Sequence, residues 1–168
     1  MTVRRALVPG LLTLVALLLV AAGIVLLTGS TGSDGDRSNG ALTDQAETTQ
    51  VIGQVSQALD QVLSYDYTKP DANAQAAGQL LTGDASTQYA TLFEALKGKA
   101  DGQQLTLVAK TVVAGVTTLT ADRADLLVFL DQKSTRASDQ ATSSSAAQIQ
   151  VTAVKQGDQW KVSGLLAL

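Results

Sequence analysis

The sequence predicts an α+β domain that follows a single membrane-spanning helix, and three features of the chain lead to this prediction. An apolar run from Ala6 to Leu27 comes first. Apolar residues at helical spacing follow between Leu42 and Leu96, and segments rich in β-branched residues begin after Asp101. Helices followed by a largely antiparallel sheet pack as two layers when each has one apolar face. We therefore expect three helices to cover a four-stranded, mostly antiparallel sheet.

The run from Ala6 to Leu27 is uncharged and long enough to cross a membrane. As a helix it would extend about 33 Å, against a hydrocarbon core of roughly 30 Å. Arg4 and Arg5 precede the run, and the first charges after it are acidic. The positive-inside rule therefore places the tail 1–5 in the cytoplasm and the rest of the chain outside.

A cleaved signal peptide is the alternative interpretation of this run. The apolar region of a signal peptide is usually about 7 to 15 residues long and ends at small residues. Here the small residues 21–23 are followed by more apolar sequence through Leu27. We therefore expect an uncleaved single-pass anchor in the cell membrane, with lipid around residues 6–27.

The composition of the exported part excludes several classes of function. All fifteen acidic residues but only ten of the twelve basic ones follow the span, so this part is net negative. A negative domain is unsuited to nucleic acid or to an anionic lipid surface as its main partner. The chain has no cysteine and no histidine, which removes thiolate metal sites, disulfides and the commonest general base. We expect no enzyme, and therefore no catalytic, cofactor-binding or metal-binding residues.

Residues 28–40 are rich in Gly, Ser, Thr, Asp and Asn, which predicts a flexible linker before a domain at 41–168. The first helix is expected from Leu42 to Tyr65, capped by Thr43 or Asp44. Glu47 then supplies a favourable first-turn charge or a capping-box partner.

Two further helices are predicted before the sheet. Asp71 would cap a helix that ends at Leu81, and Gly83 would follow it in a left-handed conformation. Asp84 would cap the third helix, which is expected to stop at Gly98. Its apolar face is formed by four residues: Tyr89, Leu92, Phe93 and Leu96.

Four strands are expected at 105–116, 124–132, 148–156 and 160–165. The polar stretch from Ser134 to Ala147 would be a mobile loop between the second and third strands. Gly157 and Asp158 would form a tight hairpin between the last two.

Three segments carry a resemblance to a known family: LSYDYTKPDANAQAAGQLLTGDASTQY at 63–89, VVAGVTTLTADRADLLVFLDQ at 112–132 and QIQVTAVKQGDQWKVSGL at 148–165. The chain resembles the Mce-associated membrane proteins of actinobacteria. The tract 98–104 is polar here, where relatives often continue the third helix.

The resemblance implies a single-span anchor and a cone-shaped domain of the nuclear transport factor 2-like type. This type of fold is similar to the exported domain of a type IV secretion inner-membrane component. It also implies a non-enzymatic accessory or scaffold role beside Mce-type lipid importers of the cell envelope, with the transporter subunits as partners. A lipid carrier that uses the cone cavity is the alternative function, and a cone-fold enzyme is a more distant alternative. The sequence also allows a homo-oligomer.

Several side chains have a functional interpretation beside a structural one. Tyr65, Asp66 and Tyr67 could form a recognition patch, but a helix end with packed tyrosine rings is favoured. Trp160 and Phe129 could line a lipid pocket, but core packing is favoured for both.

Three carboxylates also have both a functional and a structural interpretation. Asp131 could act as a general base, as in the ketosteroid isomerases of this fold class, but the polar end of its strand is the favoured interpretation. Asp34 and Asp36 could bind calcium weakly, but lone exposed acids in a linker are commoner.

Overall fold

The computed structural model describes residues 39–168. The predicted tail, span and linker residues 28–38, including Asp34 and Asp36, lie outside the described residues. The described chain contains a 3-10 turn and eight further elements: Gly40–Leu42 (3-10), α1 Gln45–Val62, β1 Tyr65–Asp66, α2 Pro70–Leu80, α3 Gly83–Gln103, β2 Leu105–Leu119, β3 Arg123–Arg136, β4 Thr142–Gln156 and β5 Gln159–Ala167. The strands form one antiparallel sheet in the order β1-β2-β3-β4-β5.

Helix α1 is capped by Asp44, one of the two predicted caps, but it begins at Gln45 instead of Leu42 and ends earlier than predicted. Asp44 is its N-cap and accepts a hydrogen bond from the Glu47 N–H at 3.0 Å. The helix ends at Val62 because Tyr65 and Asp66 pair with β2 as a short edge strand. The sheet therefore has five strands in the described residues instead of the four expected.

Helix α2 begins at Pro70, so the prediction that Asp71 caps it was wrong. Proline suits the first helical position because its fixed φ fits a helix and its missing N–H would have no partner there. Asp71 instead lies in the first turn. Gly83 has φ +54, which confirms the left-handed conformation, but it starts α3 and Asp84 lies in the first turn of that helix.

Helix α3 continues through the predicted stop at Gly98 and ends at Gln103. A glycine inside a helix costs about 1 kcal/mol relative to alanine, which tertiary packing can offset. Ala100 is fully buried beyond the glycine and contributes to that packing. Gln104 has φ +51 and so ends the helix in the left-handed conformation. The side chains of Leu92 and Leu96 lie outside the described part of the structure.

The predicted mobile loop at 134–147 was wrong, because most of it belongs to a long hairpin. Ser134 pairs with Ser143 and Thr135 with Thr142, leaving a short turn at 137–141. The polar side chains of this stretch are compatible with strands because the ladder satisfies the backbone and one face meets water. The Gly157 hairpin is confirmed, with φ +64 and Gln156 paired to Gln159.

The main core lies between α1 and the inner face of the sheet. Alternate residues of β3 point inward, and so do their partners on β4. The largest fully buried side chains are Trp160, Leu59, Leu126, Leu130, Val51, Val55, Val128, Val151 and Val162. A second cluster contains Tyr65, Phe93 and Ala100.

Polar side chains cover part of the free edge of β2. The Ser64 hydroxyl accepts from the Ala109 N–H at 3.0 Å, and the Asp60 carboxylate accepts from the Thr111 N–H at 2.6 Å. Near the other end of the strand, the Asn39 side chain accepts from the Leu119 N–H and donates to a backbone carbonyl, both at 2.9 Å. Side chains that occupy edge groups protect a strand from unwanted pairing. Asn39 thus links the segment before α1 to the end of β2.

Candidate functional site

The space beneath the sheet is where a cone-shaped domain could hold a ligand. In the described structure this space is filled by large apolar side chains from α1, β3 and β5. Leu59, Leu126 and Trp160 are each at most 1% exposed and belong to one continuous cluster. The interior of the cone is therefore a packed core at these positions.

Trp160 confirms the prediction of core packing and has polar partners at its rim. Its Nε1 donates to Glu47 Oε1 at 2.8 Å, and the same oxygen accepts from Lys155 Nζ at 2.7 Å. The Lys155 ammonium also lies 5.6 Å from the centroid of the indole ring. The backbone N–H of Trp160 donates to Gln54 Oε1 at 2.6 Å. These contacts link the β4–β5 hairpin to the first turn of α1 through Glu47 and to its middle through Gln54.

The position of Glu47 was not foreseen from the sequence. It was expected to act within its own helix, whereas its carboxylate binds groups more than a hundred residues away. The single tryptophan was the available signal, because a buried indole N–H usually needs an acceptor. The hydrogen bond from Lys155, followed by the bond from Trp160, outweighs partial burial and lowers the pKa of Glu47.

Glu47→Gln should lower the free energy of unfolding by about 1.5–3 kcal/mol at neutral pH, the range for hydrogen bonds to charged groups. Because the pKa of Glu47 is lowered on folding, this stabilisation is present above the ordinary value of 4.5 and is lost as pH falls through the folded value. Urea unfolding of the full-length protein in detergent at pH 7 and pH 3.5 measures the difference. The exposed Glu94→Gln is the control, and a Glu47→Gln deficit as large at pH 3.5 as at pH 7 would contradict the assignment.

An aromatic cluster joins Tyr65 of β1 to Tyr89 and Phe93 of α3. The ring of Phe93 lies edge-on to Tyr65, with centroids 5.9 Å apart, and stacks on Tyr89 at 5.3 Å. Burial raises the pKa of Tyr89 to about 12, so its hydroxyl is neutral at physiological pH. That hydroxyl is buried and has no hydrogen-bond partner in the described residues. Tyr89 therefore serves as packing surface here.

Asp66 stabilises the turn that follows β1. Its Oδ1 accepts from the hydroxyl of Thr68 at 2.7 Å and from the Thr68 N–H at 2.9 Å. These two hydrogen bonds lower the pKa of Asp66, and the bond from the hydroxyl has the larger effect. The buried ring of Tyr65 and the bonded carboxylate of Asp66 agree with the structural interpretation favoured for this motif.

Phe129 does not lie in the core, which corrects the interpretation favoured from the sequence. Its neighbours Val128 and Leu130 are buried and face α1, so strand alternation turns Phe129 to the outer face of the sheet. There it is 41% exposed. It lines no pocket beneath the sheet either.

Asp131 also lies on the outer face, at the edge of an open groove. The groove has a volume of about 490 Å³ and is lined by Val108, Lys110, Asp131, Gln132, Lys133, Ser144, Ser145 and Ala146. Lys110 donates to Asp60 at 2.6 Å. Tyr65 and Tyr89 pack beneath the sheet, so Asp131 and these tyrosines do not form a carboxylate–tyrosine pair. Within residues 39–168 there is also no cluster of three or more acidic residues suited to a metal ion.

Known structures share this fold at low sequence identity. The periplasmic domain of DotI matches with a TM-score of 0.59 and 12% identity, over 74% of this chain and 96% of that chain. CagV, a VirB8 homologue of the type IV secretion system of Helicobacter pylori strain 26695, matches with a TM-score of 0.58 and 15% identity, over 71% and 96%. A nuclear transport factor 2-like superfamily protein from Salmonella enterica serovar Typhimurium has a TM-score of 0.49 and 12% identity, over 72% of this chain and 92% of that chain.

No family model and no curated protein matches the chain. At these identities the DotI and CagV matches establish the fold. The domain is α+β with a curled antiparallel sheet, the fold that it shares with the DotI and CagV domains. None of the helices within residues 39–168 is both long and apolar enough to cross a bilayer.

Proposed function

We propose that this protein is a non-enzymatic, membrane-anchored accessory subunit of an Mce-type lipid import system. The packed interior is the observation that carries the proposal. A carrier would need an apolar cavity of several hundred Å³ beneath the sheet. Leu59, Leu126, Leu130 and Trp160 occupy that space instead, so the domain acts through its surface.

The apolar sequence at 6–27 and the acidic exported part support a tethered position outside the cytoplasm. DotI supports the same location by analogy, since the matched part of that protein is described as periplasmic. The segments quoted from 63–89, 112–132 and 148–165 support Mce transporter subunits as partners, through the resemblance that they carry. An enzymatic role has less support, because Asp131 and the tyrosines lie on opposite sides of the sheet.

Affinity purification from native membranes tests the partner. The tagged full-length chain, produced at its natural level and cross-linked mildly, should enrich Mce transporter subunits. The matched control carries the same tag and residues 1–38 without the folded domain, and should recover them at background level. Equal recovery by both proteins, or no enrichment by either, would contradict the proposal.

A further inference from the structure

Asn39 and Gly40 form the only Asn-Gly pair in the sequence, and the backbone of such a pair can react with its own side chain. The backbone nitrogen of Gly40 attacks Cγ, the side-chain amide carbon of Asn39. A five-membered succinimide ring forms, and ammonia leaves. Glycine favours this attack because it has no Cβ to obstruct it and because it leaves the backbone the most freedom. The sequence therefore places a reactive amide at the start of the described chain.

Water completes the reaction by opening the ring at one of its two carbonyl groups. Opening at one carbonyl gives aspartate, and opening at the other gives isoaspartate, in which the main chain passes through the former side-chain carbons. Overall, asparagine and water become a carboxylic acid and ammonia, so the change needs no oxidant, reductant or cofactor. Both products have lost the amide and gained a carboxylate, and neither returns to asparagine.

In the folded domain the Asn39 amide holds the segment before α1, residues 39–44, against β2. Its Oδ1 accepts hydrogen bonds from the Ala41 N–H at 3.0 Å and from the Leu119 N–H at 2.9 Å. Its Nδ2 donates to the Thr117 carbonyl oxygen, also at 2.9 Å. The nitrogen that would leave as ammonia is therefore bound to β2, and so is the oxygen of the same amide.

The backbone of Asn39 also opposes the reaction. The succinimide ring is nearly planar, so the Gly40 nitrogen must eclipse the Cβ of Asn39 before the ring can close. Asn39 has φ −70 and ψ 110, an extended conformation that turns the Gly40 nitrogen well away from Cβ. Ring closure therefore requires a rotation of the backbone as well as release of the side chain. Local opening of the segment would provide both.

We propose that Asn39 is a deamidation site that the fold keeps closed, and that deamidation irreversibly detaches the segment before α1 from β2. Either product lacks the amide donor, and a carboxylate oxygen in its place would repel the Thr117 carbonyl oxygen. Isoaspartate also adds one carbon to the main chain and moves the acceptor away from the Leu119 N–H. The part of the β2 edge that Asn39 covers would then be open to pairing.

Peptide mapping by mass spectrometry tests whether the fold closes the site. The full-length protein is incubated at neutral pH, either folded in detergent or unfolded in urea, and fragment ions locate the new carboxylate. The folded protein should lose the Asn39 amide at least about tenfold more slowly, a ratio that one or two ordinary hydrogen bonds can supply. Asn73 is the internal control because alanine follows it, and in urea it should react more slowly than Asn39.

Gly40→Ala provides the matched variant. A Cβ at this position would lie 3.6 Å from the Leu119 carbonyl oxygen, which is an ordinary contact, so the variant should keep the fold. In urea it should lose the Asn39 amide more slowly than the wild type, because the added side chain hinders attack by the backbone nitrogen.

Amide hydrogen exchange tests the consequence of the reaction. Protein that has been deamidated in urea and then refolded should exchange the Leu119 N–H at least about tenfold faster than fresh protein, because the hydrogen bond to Asn39 is lost. Gly40→Ala taken through the same unfolding and refolding should keep its amide and its protection at Leu119.

Equal rates of amide loss in the folded and the unfolded protein would overturn the proposal, because the fold would then not close the site. A refolded, deamidated protein that protects the Leu119 N–H as well as fresh protein does would contradict the detachment. Amide loss from Gly40→Ala in urea at the wild-type rate would exclude attack by the Gly40 nitrogen. These measurements use one purified chain, so their outcome is independent of the transporter proposed as its partner.

Discussion

Replacing Trp160 by alanine should lower the free energy of unfolding by about 3–5 kcal/mol, the range for removing a buried large aromatic ring. Trp160 is 1% exposed and belongs to the main core cluster. Its loss would leave a cavity beneath the sheet and would deprive Glu47 of one hydrogen bond. A typical domain has only about 5–15 kcal/mol of stability, so the variant should be close to unfolding at physiological temperature.

Two further variants separate the ring from its hydrogen bond. Trp160→Phe keeps most of the packing and loses Nε1, so it should fall between the wild type and Trp160→Ala. Gln57→Ala, on the exposed face of α1, should leave stability unchanged. Denaturant unfolding of the full-length protein in detergent, followed by circular dichroism, gives the values. A midpoint for Trp160→Ala equal to that of the wild type would mean that the indole is not in the core.

The helices and the last hairpin could be predicted from local signals. Asp44, Gly83 and Gly157 each adopt a conformation that their own residue type favours, so a single sequence contains the information. The stop at Gly98 failed because tertiary packing beyond the glycine, including the burial of Ala100, offsets its local cost. That burial depends on tertiary contacts with the cluster around Phe93.

The face of each residue on β3 could not be predicted. The segment Leu126–Leu130 is continuously apolar, so its sequence shows no period of two that would assign Phe129 to one side. Only the register with β4 decides it. In the hairpin at 134–147, the polar composition reflects strands with one solvent-exposed face and does not mark a loop.

The candidate site was missed for a related reason. Glu47 and Trp160 are in contact although they are 113 residues apart in the sequence, and Lys155 binds the same carboxylate. No local sequence pattern predicts such a contact. The exposed apolar residues of the outer sheet face likewise come from separate strands, Val113 from β2 and Phe129 from β3. A docking surface is defined by its shape and leaves no motif in a single sequence, whereas a catalytic group does.

Removing the apolar run at 6–27, the membrane anchor proposed above, should have the largest effect on function. A domain exported by a cleavable signal, without residues 6–27, would lose the high local concentration that tethering gives at a membrane partner, which is worth about 10²–10⁴ in apparent affinity. Asp131→Asn keeps the shape of its side chain and removes a charge from the outer groove. An accessory subunit that works through docking surfaces should tolerate that change.

Uptake of a labelled lipid by cells that lack the native gene is the measurement that tests the proposed function most directly. The full-length protein and Asp131→Asn should both restore uptake, and the untethered domain should leave it near the level of the deletion strain. All three proteins must be folded and equally abundant. If Asp131→Asn abolished uptake while the untethered domain restored it, the role would be catalytic or ligand-binding, and the accessory role proposed here would be wrong.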